Sequence, residues 1–100
     1  MIDNYHIEWL GYNNEESHDK IWGWLNLKDG RKYCFWGRRG KKLRFKEHSD
    51  VFELLRIQNQ KEDKKGYYRV SPNQYDNLVK DFIIEVEIWL TTAILGDEVM

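Results

Sequence analysis

Trp36 is followed within ten residues by Arg38, Arg39, Lys41, Lys42, Arg44 and Lys46. A flat indole beside a run of cations suits chemistry in which no bond is broken. The cations neutralise phosphates while the ring packs on a base or sugar. Tyr33 and Phe35 add two further rings to the same stretch. From Lys28 to Lys46 the chain carries nine of its sixteen Lys and Arg residues and a single acid, Asp29, so the formal net charge of −1 conceals a strongly polarised molecule. Phosphate contacts carry no sequence information, so binding of this type selects nucleic-acid structure and not base order. An acidic protein partner would suit the same charge, as would a solvated sheet face guarded against edge pairing.

Bond-making chemistry finds little to work with. His6, His18 and His48 are far apart and show no metal-ligand spacing, and the single cysteine, Cys34, cannot build a zinc site. Cys34 alternates with Tyr33 and Phe35 and reads as a packed thiol, not a nucleophile. Glu15, Glu16, Asp19, Glu62 and Asp63 lie in polar stretches, where solvated charge is the ordinary explanation. No phosphate-cradling glycine loop or dinucleotide fingerprint occurs, and Gly37 to Gly40 reads as a turn. The expectation is a non-enzymatic binder with no cofactor and no metal.

The elements that must position these residues follow from periodicity. Residues 4–12 read as a strand in which His6, Glu8 and Leu10 alternate against Tyr5, Ile7 and Trp9. Residues 21–27 form a second strand, with Ile21, Leu25 and Leu27 on one face and Trp22 and Trp24 on the other. Gly23 between two tryptophans predicts either a bulge or a ring lying across the backbone. Asp29-Gly30 predicts a two-residue type I′ turn. Strand three then covers about residues 31–36, Gly37 and Gly40 bracket a tight turn, and strand four covers about 42–46 with Leu43 and Phe45 inward and Lys42, Arg44 and Lys46 outward. Ser49 or Asp50 caps a helix over about 50–63, with Val51, Phe52, Leu54, Leu55 and Gln58 toward one side. Gly66 ends it, and residues 67–70 close the sheet.

Ser71-Pro72-Asn73-Gln74 is a helix start, with Ser as cap, Pro at the first position and Gln at the third. The helix should run to about Leu95, ended by Gly96, with Tyr75, Leu78, Val79, Phe82, Ile83, Val86, Trp89 and Leu90 as its apolar face. The fold class is therefore α+β: an antiparallel sheet of four to five strands, a crossing helix and a long C-terminal helix, in one domain spanning residues 1–100.

At Tyr33-Cys34-Phe35-Trp36-Gly37-Arg38-Arg39-Gly40 the chain resembles the signature of the WGR domain, where an aromatic strand runs into Trp-Gly-Arg-x-Gly. A second match follows in order: Phe45, an amphipathic helix over 51–60, and a Lys-rich segment from Lys61 ending in Gly66-Tyr67. The resemblance covers about residues 4–70. It implies an antiparallel sheet with a helix packed across it, and nucleic-acid binding. The family is known as an accessory module of DNA-damage-responsive poly(ADP-ribose) polymerases and occurs in bacterial proteins. Its motif Trp packs on the sugar at a DNA end and its motif Arg contacts DNA and neighbouring domains, roles that would fall on Trp36 and Arg38. Two features depart from the pattern: Arg39 stands where a small apolar residue is usual, and the helix after Ser71 is an addition. No zinc-finger cysteines accompany the motif, so the inherited role would be binding alone.

From Ser71 onward one base, Lys80, faces six acids, and Ile84, Ile88, Thr91 and Ile94 add apolar character outside the main stripe. Such a helix either completes the core or, over residues 71–96, docks on a second copy or a protein partner. The lone cysteine gives no sign of secretion, the N-terminus shows no signal segment, and no apolar run approaches ~20 residues, so a cytoplasmic protein without membrane contact is expected. Two readings result. One is a small nucleic-acid-binding protein, for DNA in particular, using Trp36, Arg38, Arg39, Lys41, Lys42, Arg44 and Lys46. The other is a protein-interaction adaptor or homodimer built on the acidic C-terminal helix.

Overall fold

A computed structural model describes residues 4–95. It is α+β, with a five-stranded antiparallel sheet at its centre. β1 (Tyr5–Asn13), β2 (Lys20–Leu27), β3 (Lys32–Arg38) and β4 (Arg44–His48) follow one another as hairpins, and α1 (Val51–Lys64) leads to the short β5 (Tyr68–Arg69). The strand order is β4-β3-β2-β1-β5, so β4 and β5 are the edges. A 3₁₀ turn (Pro72–Gln74), α2 (Tyr75–Leu78), α3 (Lys80–Trp89) and a π-helical turn (Leu90–Leu95) complete the described chain. The expected terminator Gly96 lies outside the described residues.

Alternation along the strands sorts the side chains between two helical layers. Leu10, Ile21, Leu25, Leu27, Tyr33 and Phe35 point to the side covered by Val79, Phe82, Val86 and Leu90 of the C-terminal helices. Trp9, Trp22, Trp24 and Cys34 point to the other side, where Leu54 of α1 and Tyr67 cover them. We call these the α3 face and the α1 face. Gly23 lets a ring cross: a Cβ there would lie 2.7 Å from Phe35 Cζ and 2.8 Å from the Trp9 carbonyl oxygen. The bulge is elsewhere, in β1 between Ile7 and Trp9. It breaks the uniform alternation expected for β1, because Tyr5 and Ile7 join Leu10 and Tyr12 on the α3 face.

Other local features also differ from expectation. The β2–β3 turn has three residues, not two: the Leu27 amide donates to the Arg31 carbonyl at 2.8 Å, and Gly30 alone takes a positive φ of 98°. In α1 the inward residues are Leu54, Val51, Ile57 and Gln58, with Trp24 Nε1 donating to Gln58 Oε1 at 2.9 Å. Phe52 and Leu55 face outward instead, Phe52 being 77% exposed. The C-terminal apolar stripe packs as expected, but the helix is interrupted at Val79 (φ −136°, ψ 22°). There the preceding carbonyl, of Leu78, accepts a hydrogen bond from Arg39 Nη2 at 2.9 Å.

The acidity of the C-terminal helix is largely consumed in holding it to the sheet. Asp81 pairs with Arg39, Glu85 Oε1 accepts from the Leu43 amide at 2.7 Å, and Glu87 Oε1 accepts from the Tyr5 hydroxyl at 3.0 Å. Trp89 stacks on Phe45 with centroids 3.9 Å apart and meets Tyr33 edge-on at 5.1 Å. No helix among the described residues is long and apolar enough to cross a membrane.

Candidate nucleic-acid interface

Trp36 sits near the end of β3 on the α1 face, half-buried against the tryptophan cluster. Its neighbours are set by register: Trp22 of β2 lies across from it on one side and Arg44 of β4 on the other. Lys46 stands opposite Cys34, and Arg38 opposite Lys20. Arg38, Arg44 and Lys46 share the side-chain parity of Trp36, and all three are exposed. Arg38, Lys41, Lys42, Arg44 and Lys46 form no ion pair with another described residue.

Gly37 does not leave an opening for a ligand. A Cβ there would come within 2.8 Å of Leu43 Cδ2, so the molecule's own leucine fills that space from the α3 face. Arg39 is likewise not free for phosphate. Its Nε donates to Asp19 Oδ2 at 2.8 Å, its Nη1 pairs with Asp81, and its Nη2 reaches the Leu78 carbonyl and, at 3.3 Å, the Tyr12 hydroxyl. The guanidinium also lies 4.7 Å from the Phe82 ring centroid. Burial disfavours its charge, yet Tyr12, Asp19 and Asp81 outweigh this and hold it more firmly protonated than usual. Arg39 therefore clamps the turn to the C-terminal helices.

Lys42 also departs from the basic row. It lines a groove with Leu43, Phe45, Glu85 and Trp89, on the α3 side. Strand β4 starts only at Arg44, so the alternation that aligned Lys42 with Arg44 and Lys46 does not extend through the turn.

Sequence reasoning missed cations that the fold adds to the same face. Lys61, in the last turn of α1, and Lys20, in β2, lie over the two approaches to Tyr67, 5.5 and 5.7 Å from its ring centroid. The Lys61 ammonium is pushed below its ordinary pKa by burial first, then by the charges of Lys20 and Lys65. Lys20 and Lys65 thus bring further positive charge to Lys61. The Lys61, Lys64, Lys65 cluster was the available signal, but which lysine faces the sheet depends on helix phase.

Trp22, Cys34, Trp36 and His48 line an open groove of about 230 Å³ between β4 and α1, together with Lys46, Glu53 and Lys61. Cys34 Sγ is 3.3 Å from His48 Nε2, and His48 Nδ1 is 3.7 Å from Glu53 Oε1. Burial is the main influence on the Cys34 thiol and raises its pKa, against opposing effects of Lys46 and Lys61. No cluster of His, Cys, Asp and Glu among the described residues is arranged to hold a metal. Compared with known proteins, the chain matches no family model, no curated protein and no solved structure.

Proposed function

We propose that the protein binds nucleic acid, DNA in particular, through the α1 face, with Trp36 as the ring platform and Arg38, Arg44 and Lys46 as phosphate contacts. Lys20 and Lys61 extend the surface, while Lys41 at the turn supplies an outer contact; Lys42, on the α3 side, has no part in it. Arg39 has no part in it. The observation that carries this reading is the half-buried Trp36 indole among cations that have no described anionic partner, on the face opposite the acidic helix. The resemblance of residues 33–40 and 61–67 to WGR-domain segments supports the same ligand class.

The test is fluorescence anisotropy of labelled blunt duplex, nicked duplex and single strand across a salt series. Five to six neutralised phosphates give a slope of log K against log salt of about −5 on duplex. Trp36→Ala should weaken binding by ~1–3 kcal/mol, the worth of one stacked ring, at unchanged circular dichroism. Salt-independent binding, or an unaltered affinity in the folded variant, refutes the proposal.

One observation favours a second reading, docking of a protein on the outer side of α3. Ile84 and Ile88, one turn apart, are 49% and 57% exposed. Nuclease-resistant co-sedimentation with a second copy or a partner, lost in Ile88→Glu, would support it.

A further inference from the structure

The thiol of Cys34 is one corner of a three-group arrangement that nucleic-acid binding does not use. His48 is diagonal to Cys34 across the β3–β4 pair, since Lys46 is opposite Cys34 and His48 opposite Lys32. The Asp50 cap, whose Oδ1 accepts from the Phe52 amide at 2.9 Å, starts α1 directly after β4. Glu53 in its first turn thereby comes to His48 from the other side. The result is thiol, imidazole and carboxylate in sequence, with the imidazole side chain only 6% exposed. Sγ to Nε2 at 3.3 Å is within hydrogen-bond reach for sulfur, whereas 3.7 Å to Glu53 is an ion-pair distance. The groups that face the thiol are Lys46 and His48 from β4 and Glu53 and Lys61 from α1, with indoles from β2 and β3 beside them.

We propose that this groove is a covalent thiol site for a small anionic carbon electrophile: Cys34 attacks, His48 Nε2 takes the thiol proton, Glu53 orients the imidazole, and Lys46 and Lys61 select the negative charge. In the substitution, a bond forms from Sγ to carbon and the bond from carbon to the leaving group breaks. The leaving group departs with that electron pair, and the proton moves from sulfur to Nε2. The groove of about 230 Å³ opens to solvent, so a small carboxylate can reach Cys34 from outside. Burial keeps the thiol protonated at rest, so its reaction depends on the adjacent base. This goes beyond the nucleic-acid reading, and its test contains no nucleic acid.

The experiment is labelling of the native protein by iodoacetate and by iodoacetamide, followed by intact mass. Cys34 is the only cysteine, so the mass shift reports that thiol alone. Charge focusing by the two lysines predicts that iodoacetate reacts faster than iodoacetamide by about ten-fold. The preference shrinks at about 1 M salt, where the screening length is about 3 Å, and disappears in the urea-unfolded chain. Lys61→Ala should bring the ratio toward unity, and His48→Gln should slow both reagents. Glu53→Gln should move the rise of rate with pH to lower pH, because the Glu53 charge opposes loss of the thiol proton. If His48→Gln does not fold, the wild-type rate ratio and the Glu53→Gln profile decide the matter. A native Cys34 that neither reagent labels, or one that iodoacetamide labels faster, overturns the proposal.

Discussion

Replacing Arg39 by Met keeps the aliphatic stem and removes the guanidinium, and the structure gives the cost from what that group touches. Two carboxylates lose a partner, but Asp19 and Asp81 are 44% and 56% exposed, so water replaces much of each ion pair and each counts for ~0.2–1 kcal/mol. The Leu78 carbonyl loses a charge-assisted donor, and the Phe82 face loses a cation worth ~0.5–1 kcal/mol. With the carbonyl bond discounted to about 1 kcal/mol for partial rehydration, the total is about 2–4 kcal/mol. For a domain this size that corresponds to a fall in Tm of about 8–32 °C. The clamp should also show an acid limb. Burial pushes the Asp19 carboxyl up, but hydrogen bonds from Tyr12 and Arg39 pull it below its ordinary 3.8. A depressed folded pKa adds stability above that value and loses it as pH falls further, so stability should decline below pH ~4 in the wild type and decline less in Arg39→Met. The assay is thermal and urea unfolding across pH, paired with the salt dependence of DNA binding at a temperature where both proteins are folded. An unchanged Tm together with a salt slope smaller by about one would show that Arg39 meets phosphate and that the clamp is wrong.

Three further outcomes follow from the same contacts. Gly23→Ala should destabilise by ~1–3 kcal/mol in urea unfolding, because the new methyl meets a backbone oxygen as well as the Phe35 ring; a neutral effect would mean β1 and β2 can part there cheaply. Tyr5, Tyr12, Tyr33, Tyr67 and Tyr75 all have pKa values raised mainly by burial. Raised folded values give stability that is complete below the unfolded 10.0 and lost as pH rises beyond it, so Tm should hold from pH 7 to 9 and fall above 10. Trp89→Ala should cost ~3 kcal/mol through loss of the Phe45 stack and the Tyr33 edge contact, read as the shift in urea midpoint at constant slope.

What the sequence revealed and concealed divides by range. Alternation in residues 21–27, the cap at Asp50 and the Ser71-Pro72 start are local, and each element formed where its pattern indicated. The bulge at Glu8 was hidden because β1 carries large apolar residues on both faces, so a one-residue shift leaves no gap in the pattern. Phe52 and Leu55 were misassigned for a similar reason: an apolar residue next to a cap fits two helix phases, and only Leu54 is fully buried. The fate of Arg39 depends on Asp81, which is 42 residues away, and no local motif announces that pair. The Cys34–His48 contact joins residues 14 apart in sequence and depends on the β3–β4 register, which is not announced by either strand alone.

The charge segregation read from composition becomes, in three dimensions, a division between the faces of one sheet. On the α3 face the acids Asp81, Glu85 and Glu87 are each spent on a sheet group: a guanidinium, an edge amide and a phenol. On the α1 face the balance is not closed, because Lys61 is destabilised by Lys20 and Lys65 as well as by burial. Such crowding of like charges opposes folding slightly, and an arriving polyanion would relieve it. The same division separates the two functional readings physically: Trp36 and the outward Ile84 and Ile88 lie on opposite sides of a packed sheet. Energetic effects of changes at such distant sites should add. A loss of DNA affinity on altering Ile88 could not then be assigned to contact with the nucleic acid, and would implicate association of the protein itself.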